Sequence, residues 1–367
     1  MSLDGLLFWA KAVPLLLLML VPLVLVHEFG HFIVARLLRI RVLEFGLGFP
    51  PRARVLGHDH ETEYTLNWLP IGGFVRLEGE EENSDDPRAF TNASLWRQLV
   101  VLVAGVTMNV LTAVFLLFIV AWVFNPVVEP GIGKPIAGSP AEVAGLKEGD
   151  KLVSLNGRTY SVLEFSTDPT RTWHDDLAAH AGETVTLVVA DANGVQRTVV
   201  VKLHVPTASE AWALGVSMNS ASLVDTPGNP VQAAGLAVSG TGRAMSLILV
   251  ALGDVGKQLA TNPTSGPQGV SGPVGIASTV GTVVEQPNAL MLLLLLAAVL
   301  SANLALVNVL PFPPLDGGKM VIMTLKRLVG AHGVGKVEQF AYVAGFALLM
   351  AFIGWITFFD IIRGGAP

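Results

Sequence analysis

The sequence contains no cysteine and little charge. The absence of cysteine among its 367 residues excludes disulfide frameworks, thiol nucleophiles and cysteine-ligated zinc. Charged residues make up only 14% of the chain, against about a quarter in soluble domains, and hydrophobic residues make up 51%. A net charge of -6 without a long basic run excludes nucleic acid as a partner. The composition therefore predicts a protein of the lipid bilayer.

Four long stretches are nearly free of charge and are predicted to cross the membrane as helices. Between Lys11 and Arg36 the only formal charge is Glu28, and the stretches 98–128, 286–315 and 340–359 have none. Each provides the roughly 20 residues that span a bilayer. The predicted fold class is a polytopic α-helical membrane protein with four transmembrane helices. Arginine and lysine crowd the loops after the first and third spans, so these loops are predicted to be cytoplasmic and both termini to lie outside.

A polar, turn-rich insert interrupts the apolar pattern between the second and third spans. Its stretch "GSPAEVAGLKEGDKLVSLNGR" at 138–158 resembles a PDZ domain, with Ser139 and Pro140 opening a short helix. The stretch "VTLVVADANGVQRTVVVKLHV" at 185–205 predicts two strands around a turn at Asn193-Gly194. The resemblance implies an α+β domain on the outer side that binds an extended peptide as an added strand. A rigid guard with an unused groove is the alternative. The predicted divisions are 1–126, 127–205 (PDZ-like), 206–285 (linker with an amphipathic helix) and 286–367.

The first span ends in "VLVHEFGHFIVARL", which contains the pattern HExxH. His27 and His31 are four residues apart, so on a helix both imidazoles project from one face and can reach one metal ion. Glu28 points roughly 100° away, where it can serve as general base without binding the metal. Zinc is the predicted cofactor. A chance match whose histidines face partner helices is the alternative, but ionisable groups in a membrane span are usually functional.

A third zinc ligand is expected from the third span, in "LALVNVLPFPPLDGGKM". Asp316 follows three prolines and precedes Gly317 and Gly318, residues that break a helix at membrane depth. Such a break is tolerated where it is buried in protein or lines a wet cavity. Asp316 is therefore the predicted ligand, the alternative being a solvated aspartate at the rim of the membrane.

These motifs together are similar to those of the site-2 protease family. The resemblance rests on HEFGH at 27–31, on Gly105 and Asn109, on the PDZ-like insert, and on the stretch from Asn308 to Gly317. It implies a bacterial inner-membrane zinc metalloprotease with its active site near the cytoplasmic face. The implied substrates are single-pass membrane proteins such as anti-sigma factors or remnant signal peptides, cleaved within their transmembrane segments.

The resemblance also implies residues that bind substrate. Asn308 would line the active site and hold substrate or the developing oxyanion, and Asn109 would also contribute. The segment "EYTLNWLPIGGFVRLEG" at 63–79 alternates and is expected to turn at Gly72-Gly73, like the membrane-dipping β-hairpin of the family, whose edge could pair with an unwound substrate. An ordinary amphipathic hairpin is the alternative.

Other interpretations remain open from the sequence alone. Two histidines and one carboxylate also form the facial triad of non-haem iron enzymes, and a catalytically silent membrane scaffold that presents its PDZ-like domain is a third possibility. The motif HDHE, with His58 and His60, is interpreted as a decoy without a partner motif. The apolar segment 231–259 is predicted not to cross the membrane, because an even number of crossings must separate the histidines from Asp316.

Overall fold

The computed structural model describes residues 3–59, 61–80, 84–164, 171–206, 213–226, 228–262, 266–267 and 269–363. The chain divides into two compact units. One consists of Met1–Leu116 together with Ala244–Pro367 and is mostly helical, and the other is Leu117–Arg243 and contains a sheet.

The α-helices, within the described ranges, are α1 (Leu3–Leu37), α2 (Leu95–Ile119, continued by a π-helical turn Val120–Phe124), α3 (Pro140–Val143), α4 (Arg171–Ala179), α5 (Pro230–Thr261), α6 (Pro273–Val283), α7 (Ala289–Val309), α8 (Asp316–Val329) and α9 (Ala331–Ile362). The strands are β1 (Val42–His58), β2 (Glu63–Leu77), β3 (Pro126–Ile132), β4 (Lys151–Leu155), β5 (Thr184–Ala190), β6 (Gln196–Lys202) and β7 (Met218–Asp225).

By length and composition, five of the described helices could cross a membrane. They are Leu3–Leu37, Leu95–Phe124, Pro230–Thr261, Ala289–Val309 and Glu338–Ile362. Several apolar helices of this kind make the chain a multi-pass membrane protein. Four of them overlap the four predicted spans. The fifth is α5, the segment for which no crossing is predicted, so the four-span topology stays a prediction.

Strands β1 and β2 form an antiparallel sheet directly after α1. Leu47 of β1 lies opposite both Leu66 and Gly73 of β2, so β2 turns back between these two residues, in agreement with the turn predicted at Gly72-Gly73. The two glycines also allow a close approach: a Cβ at Gly73 would lie 2.5 Å from Leu25 Cδ2 on α1. Gly72 has φ of 77°, a conformation that glycine adopts without strain. The sheet thus packs against the helix that carries the histidines.

One hydrophobic core joins the end of α1, the sheet and the start of α2. Its buried members are Phe32, Ala35, Ile40, Val42, Leu77, Phe90, Val101 and Leu102. Since apolar side chains from three elements interdigitate there, the last turns of α1 have a fixed position relative to α2.

The unit Leu117–Arg243 contains a five-stranded sheet in the order β6-β5-β4-β3-β7. The predicted hairpin is confirmed: β5 pairs with β6, Val189 lies opposite Arg197, and Gly194 in the connecting turn has φ of 78°. The helix start predicted at Ser139 is also confirmed, because its hydroxyl accepts a hydrogen bond from the Glu142 amide at the first turn of α3. Strand β7 pairs with β3 and lies beyond the predicted domain end at 205, so the sheet continues into the segment that the sequence assigns to a linker.

Candidate metal centre

Three potential metal ligands converge at the end of α1. His27 and His31 lie one turn apart on this helix, and Asp316 is the first residue of α8, 289 positions after His27 in the chain. The distance from Asp316 Oδ2 is 3.0 Å to His27 Nε2 and 3.2 Å to His31 Nε2, and the two Nε2 atoms are 3.1 Å apart. All three residues are buried. The sequence prediction that these distant residues share one site therefore agrees with their positions.

The geometry of this group fits a zinc ion. Each residue offers one ligand atom, and the three atoms face one another as a near-equilateral triangle. Tetrahedral ligands at the usual zinc distances of about 2.0–2.1 Å lie roughly 3.3 Å from one another, close to the observed spacings. Two imidazoles and one carboxylate are also a ligand set of catalytic zinc sites that leave the fourth position open. Zinc would accordingly bind to His27, His31 and Asp316.

Asp316 reaches the histidines because two glycines let the chain fold back on itself. A Cβ at Gly317 would lie 2.5 Å from the carbonyl carbon of Val309, and one at Gly318 would lie 2.5 Å from that of Phe312. No side chain fits against backbone at such distances, so the start of α8 packs on the turn that follows α7 only with glycine at both positions.

Helix α2 supports both histidines with one stripe of residues spaced by four. The backbone carbonyl of Val101 lies 2.8 Å from His31 Nδ1, so the Nδ1–H donates to it and Nε2 keeps its lone pair. At Gly105 a Cβ would lie 2.6 Å from His31 Cε1 and 2.8 Å from His27 Cε1. Asn109 follows one turn later, and its Nδ2 is 3.2 Å from His27 Nδ1. Carbonyl acceptors such as Val101 leave no signal in a sequence.

Glu28 is half-buried beside the ligands and is held by the sheet. Its Oε2 accepts a hydrogen bond from the backbone N–H of Val75 in β2, with a donor–acceptor distance of 3.1 Å. One carboxylate oxygen is thus anchored by a donor that the sequence analysis did not identify. The other oxygen is available for proton transfer.

Lys319 lies one turn after Asp316 in α8 and forms an ion pair with Glu80, with 2.8 Å between Nζ and Oε1. Burial lowers the pKa of Lys319, but the negative charges of Glu80 and Asp316 outweigh it, and the pKa ends above its ordinary value. Lys319 therefore stays protonated and places a fixed positive charge near the carboxylate ligand.

The remaining predicted residues lie in different surroundings. Asn308 is half-buried in the last turn of α7, and Gly72 and Gly73 contact α1 at Val24 and Leu25, one turn before His27. Asn109 has no exposed surface. His58 ends β1, and His60, the second histidine of the HDHE motif, lies outside the described residues.

Comparison with known proteins assigns this site to a family. The family model "Peptidase family M50" matches residues 15–352. A protein of Clostridium acetobutylicum is 33% identical over 344 residues, covering 93% of this chain and 94% of the relative, and one of Clostridium perfringens is 32% identical over 340 residues, covering 93% and 95%. A Brucella suis protein is 28% identical over 369 residues, covering 94% and 93%. Each of the three is named "Putative zinc metalloprotease".

The names of these relatives support zinc rather than the iron that a facial triad would also bind. They also support protease activity rather than a silent scaffold. The match begins at residue 15 and ends at residue 352, so it includes both the HExxH motif at 27–31 and the turn at Asp316. The chain therefore belongs to peptidase family M50, the site-2 protease family, and is a zinc metalloprotease of the membrane.

Proposed function

We propose that this protease hydrolyses peptide bonds inside the transmembrane segments of single-pass membrane proteins, such as anti-sigma factors or remnant signal peptides. The observation that carries the proposal is the location of the histidines. They are buried on α1, a helix of 35 residues that is apolar enough to span a bilayer. A substrate must enter the hydrophobic region to reach ligands on such a helix.

The chain's own residues supply positioning and proton transfer. When bound, zinc supplies the Lewis acidity that activates water and polarises the scissile carbonyl. Glu28 accepts the proton of the attacking water and delivers it to the leaving amine. The hydrogen bond from the Val75 amide keeps the Glu28 carboxylate oriented during both transfers. Asn308 is proposed to hold the substrate backbone or the developing oxyanion.

Strand β2 is proposed to receive the substrate in extended form. A helical segment hides its amides in internal hydrogen bonds, so it must unwind before a peptide bond is accessible. Val75 directs its N–H away from the sheet and towards Glu28, so the same edge of β2 faces the proposed site of cleavage. A substrate strand added beside β2 near Gly73 would form backbone hydrogen bonds with this edge, as in other cases of strand addition.

The proposed membrane topology places the active site near the cytoplasmic leaflet of the bacterial inner membrane. Arginines crowd the chain after α1, and lysines and arginines follow α7, which favours the cytoplasm for both regions. Both termini and the unit Leu117–Arg243 then lie outside. We propose that this unit is PDZ-like and binds a peptide or guards access to the protease.

The number of membrane crossings between the histidines and Asp316 tests this topology, because that number must be even. If α5 crossed the bilayer, Asp316 and the histidines would be at opposite faces, so α5 is proposed to lie along the membrane or beside the spans. Single cysteines at Pro230 and Thr261, the two ends of α5, can be introduced without background labelling because the chain has no cysteine. A membrane-impermeant thiol reagent added from outside should label both. Labelling of Pro230→Cys alone would contradict the topology.

The function is tested with purified protein in detergent and a single-pass reporter that carries a tag on each side of its transmembrane segment. The parent should cut inside the segment, as located by mass spectrometry of both fragments, and a zinc chelator should stop the reaction. Glu28→Gln serves as the matched inactive control. Cleavage confined to sequences outside the segment, or unchanged by the chelator, would contradict the proposal.

A further inference from the structure

We infer that Asn109 is a positioning residue for the zinc ligand His27: its side-chain oxygen accepts the hydrogen bond from His27 Nδ1–H, which leaves Nε2 free to bind metal. The inference rests on the ligand set of the proposed function. This positioning of His27 replaces the substrate-binding role that the family resemblance implies for Asn109. Asn109 has 0% exposed surface, so a substrate cannot reach its amide.

The contacts of Asn109 point to His27 and leave one polar atom without a partner. Its Nδ2 lies 3.2 Å from His27 Nδ1. Its Oδ1 is buried, and no described residue provides it with a hydrogen bond. A buried oxygen without a hydrogen-bond partner lowers stability, so its presence calls for a functional reason.

The protonation state of a ligating histidine supplies that reason. A neutral imidazole has one ring proton, and a nitrogen that binds metal must be the bare one. His27 and His31 both turn Nε2 towards Asp316, so each must keep its proton on Nδ1. For His31 the acceptor is the carbonyl of Val101. For His27 the amide of Asn109 occupies the equivalent place.

Rotation of this amide by 180° turns its oxygen towards His27 and moves its nitrogen to the position that the oxygen leaves. With Nδ2 facing Nδ1, the ring proton of His27 must be on Nε2, where it donates to Asp316 at 3.0 Å. With Oδ1 in that place, Nδ1–H has an acceptor, Nε2 is bare and the orphan oxygen gains its hydrogen bond. Asparagine suits both arrangements because its amide can donate or accept. Metal-binding histidines generally hold such a partner behind the ligand.

The side chain of Asn109 can be changed without removing its contact with α7. That contact is made by its backbone carbonyl, which accepts a hydrogen bond from the Ser301 hydroxyl at 2.8 Å. Asn109→Leu keeps the number of side-chain heavy atoms and the branch at Cγ and removes the acceptor. Asn109→Asp keeps an acceptor and removes the donor. Thr112→Val is the matched control, since Thr112 bonds only to the Met108 carbonyl of its own helix among the contacts described.

The test measures zinc affinity in detergent by competition with a chelating indicator, together with the thermal unfolding of each variant after chelator treatment. Asn109→Leu should bind zinc about 10- to 100-fold more weakly, the range found when a metal-binding histidine loses the hydrogen-bond partner of its other ring nitrogen. Asn109→Asp and Thr112→Val should stay within about threefold of the parent. The absorption spectrum of the cobalt-substituted protein should change in Asn109→Leu and not in Thr112→Val.

The possible outcomes distinguish a failure of the role inferred for Asn109 from a failure of the ligand set. Parental zinc affinity in Asn109→Leu would overturn the inference. If that variant does not fold, Asn109→Asp decides, because zinc affinity lost in a folded acceptor variant also contradicts the role. Asp316→Asn is measured in parallel. If it loses zinc and Asn109→Leu does not, only the role of Asn109 fails, whereas full zinc in Asp316→Asn would refute the ligand set itself.

Discussion

Replacing Gly105 by alanine should reduce zinc binding and proteolysis together. The new Cβ would lie 2.6 Å from His31 Cε1 and 2.8 Å from His27 Cε1, whereas ordinary contacts begin at 3.4 Å. Each ring must therefore withdraw by about half an ångström or more, which exceeds the roughly 0.2 Å tolerance of a metal–ligand distance. His31 cannot turn aside without weakening its bond to the Val101 carbonyl. We expect zinc affinity to fall at least about tenfold and the turnover rate about a hundredfold.

The assay is zinc content at a buffered free zinc concentration, followed by cleavage of the tagged reporter at saturating zinc. Gly354→Ala is the matched control, because a Cβ at this position in α9 meets nothing within 4 Å. It should bind zinc and cleave like the parent. If Gly105→Ala also retained the parental zinc affinity and rate, the close packing of α2 against the histidines would have no role in the site.

Three further substitutions test separate parts of the molecule. Glu28→Gln should lower cleavage by about two to four orders of magnitude with zinc content unchanged, because the base is not a ligand; loss of zinc would contradict this. Asp316→Asn should lower both zinc occupancy and rate, as measured by metal analysis, since an amide is a poor zinc ligand. The backbone amides of Thr62 and Glu61 lower the pKa of Asp59 to about 2. Its charge therefore stabilises the fold above its ordinary pKa and is lost towards pH 2, so Asp59→Asn should lower the melting temperature at pH 6 and have little effect near pH 2. A deficit that is independent of pH would exclude the charge as the cause.

Local rules predicted the parts of the fold that depend on neighbouring residues. The turn at Asn193-Gly194 and the helix start at Ser139 each rest on conformations within four residues of the chain, and both are present. The ligand set was accessible for a different reason. Histidines and a carboxylate are costly to bury in apolar segments, so their presence there indicates a function. His27 and Asp316 could therefore be assigned to one site although they are 289 positions apart.

Contacts between distant backbones could not be predicted in the same way. Gly72 and Gly73 indicate a turn by composition, but the close approach of Gly73 to Leu25 of α1 is a contact that no local rule contains. Strand β7 joins the sheet only through pairing with β3, almost a hundred residues earlier, so its short sequence resembles a linker. Both features depend on residues that are distant in the chain, which local propensity does not describe.

The contacts of α2 with the histidines depend both on local helical spacing and on packing between distant residues. Two ligands four residues apart on one helix need a neighbouring helix that offers groups with the same spacing, because both helices repeat about every four residues along one face. In α2 the positions are Val101, Gly105 and Asn109, which provide an acceptor, an open space and an amide in that order. The carbonyl at the first position is present whatever the residue, so only the second and third carry a sequence signal. A small residue followed four positions later by an amide, in a span next to an HExxH helix, therefore predicts the face of that span that packs behind the metal ligands.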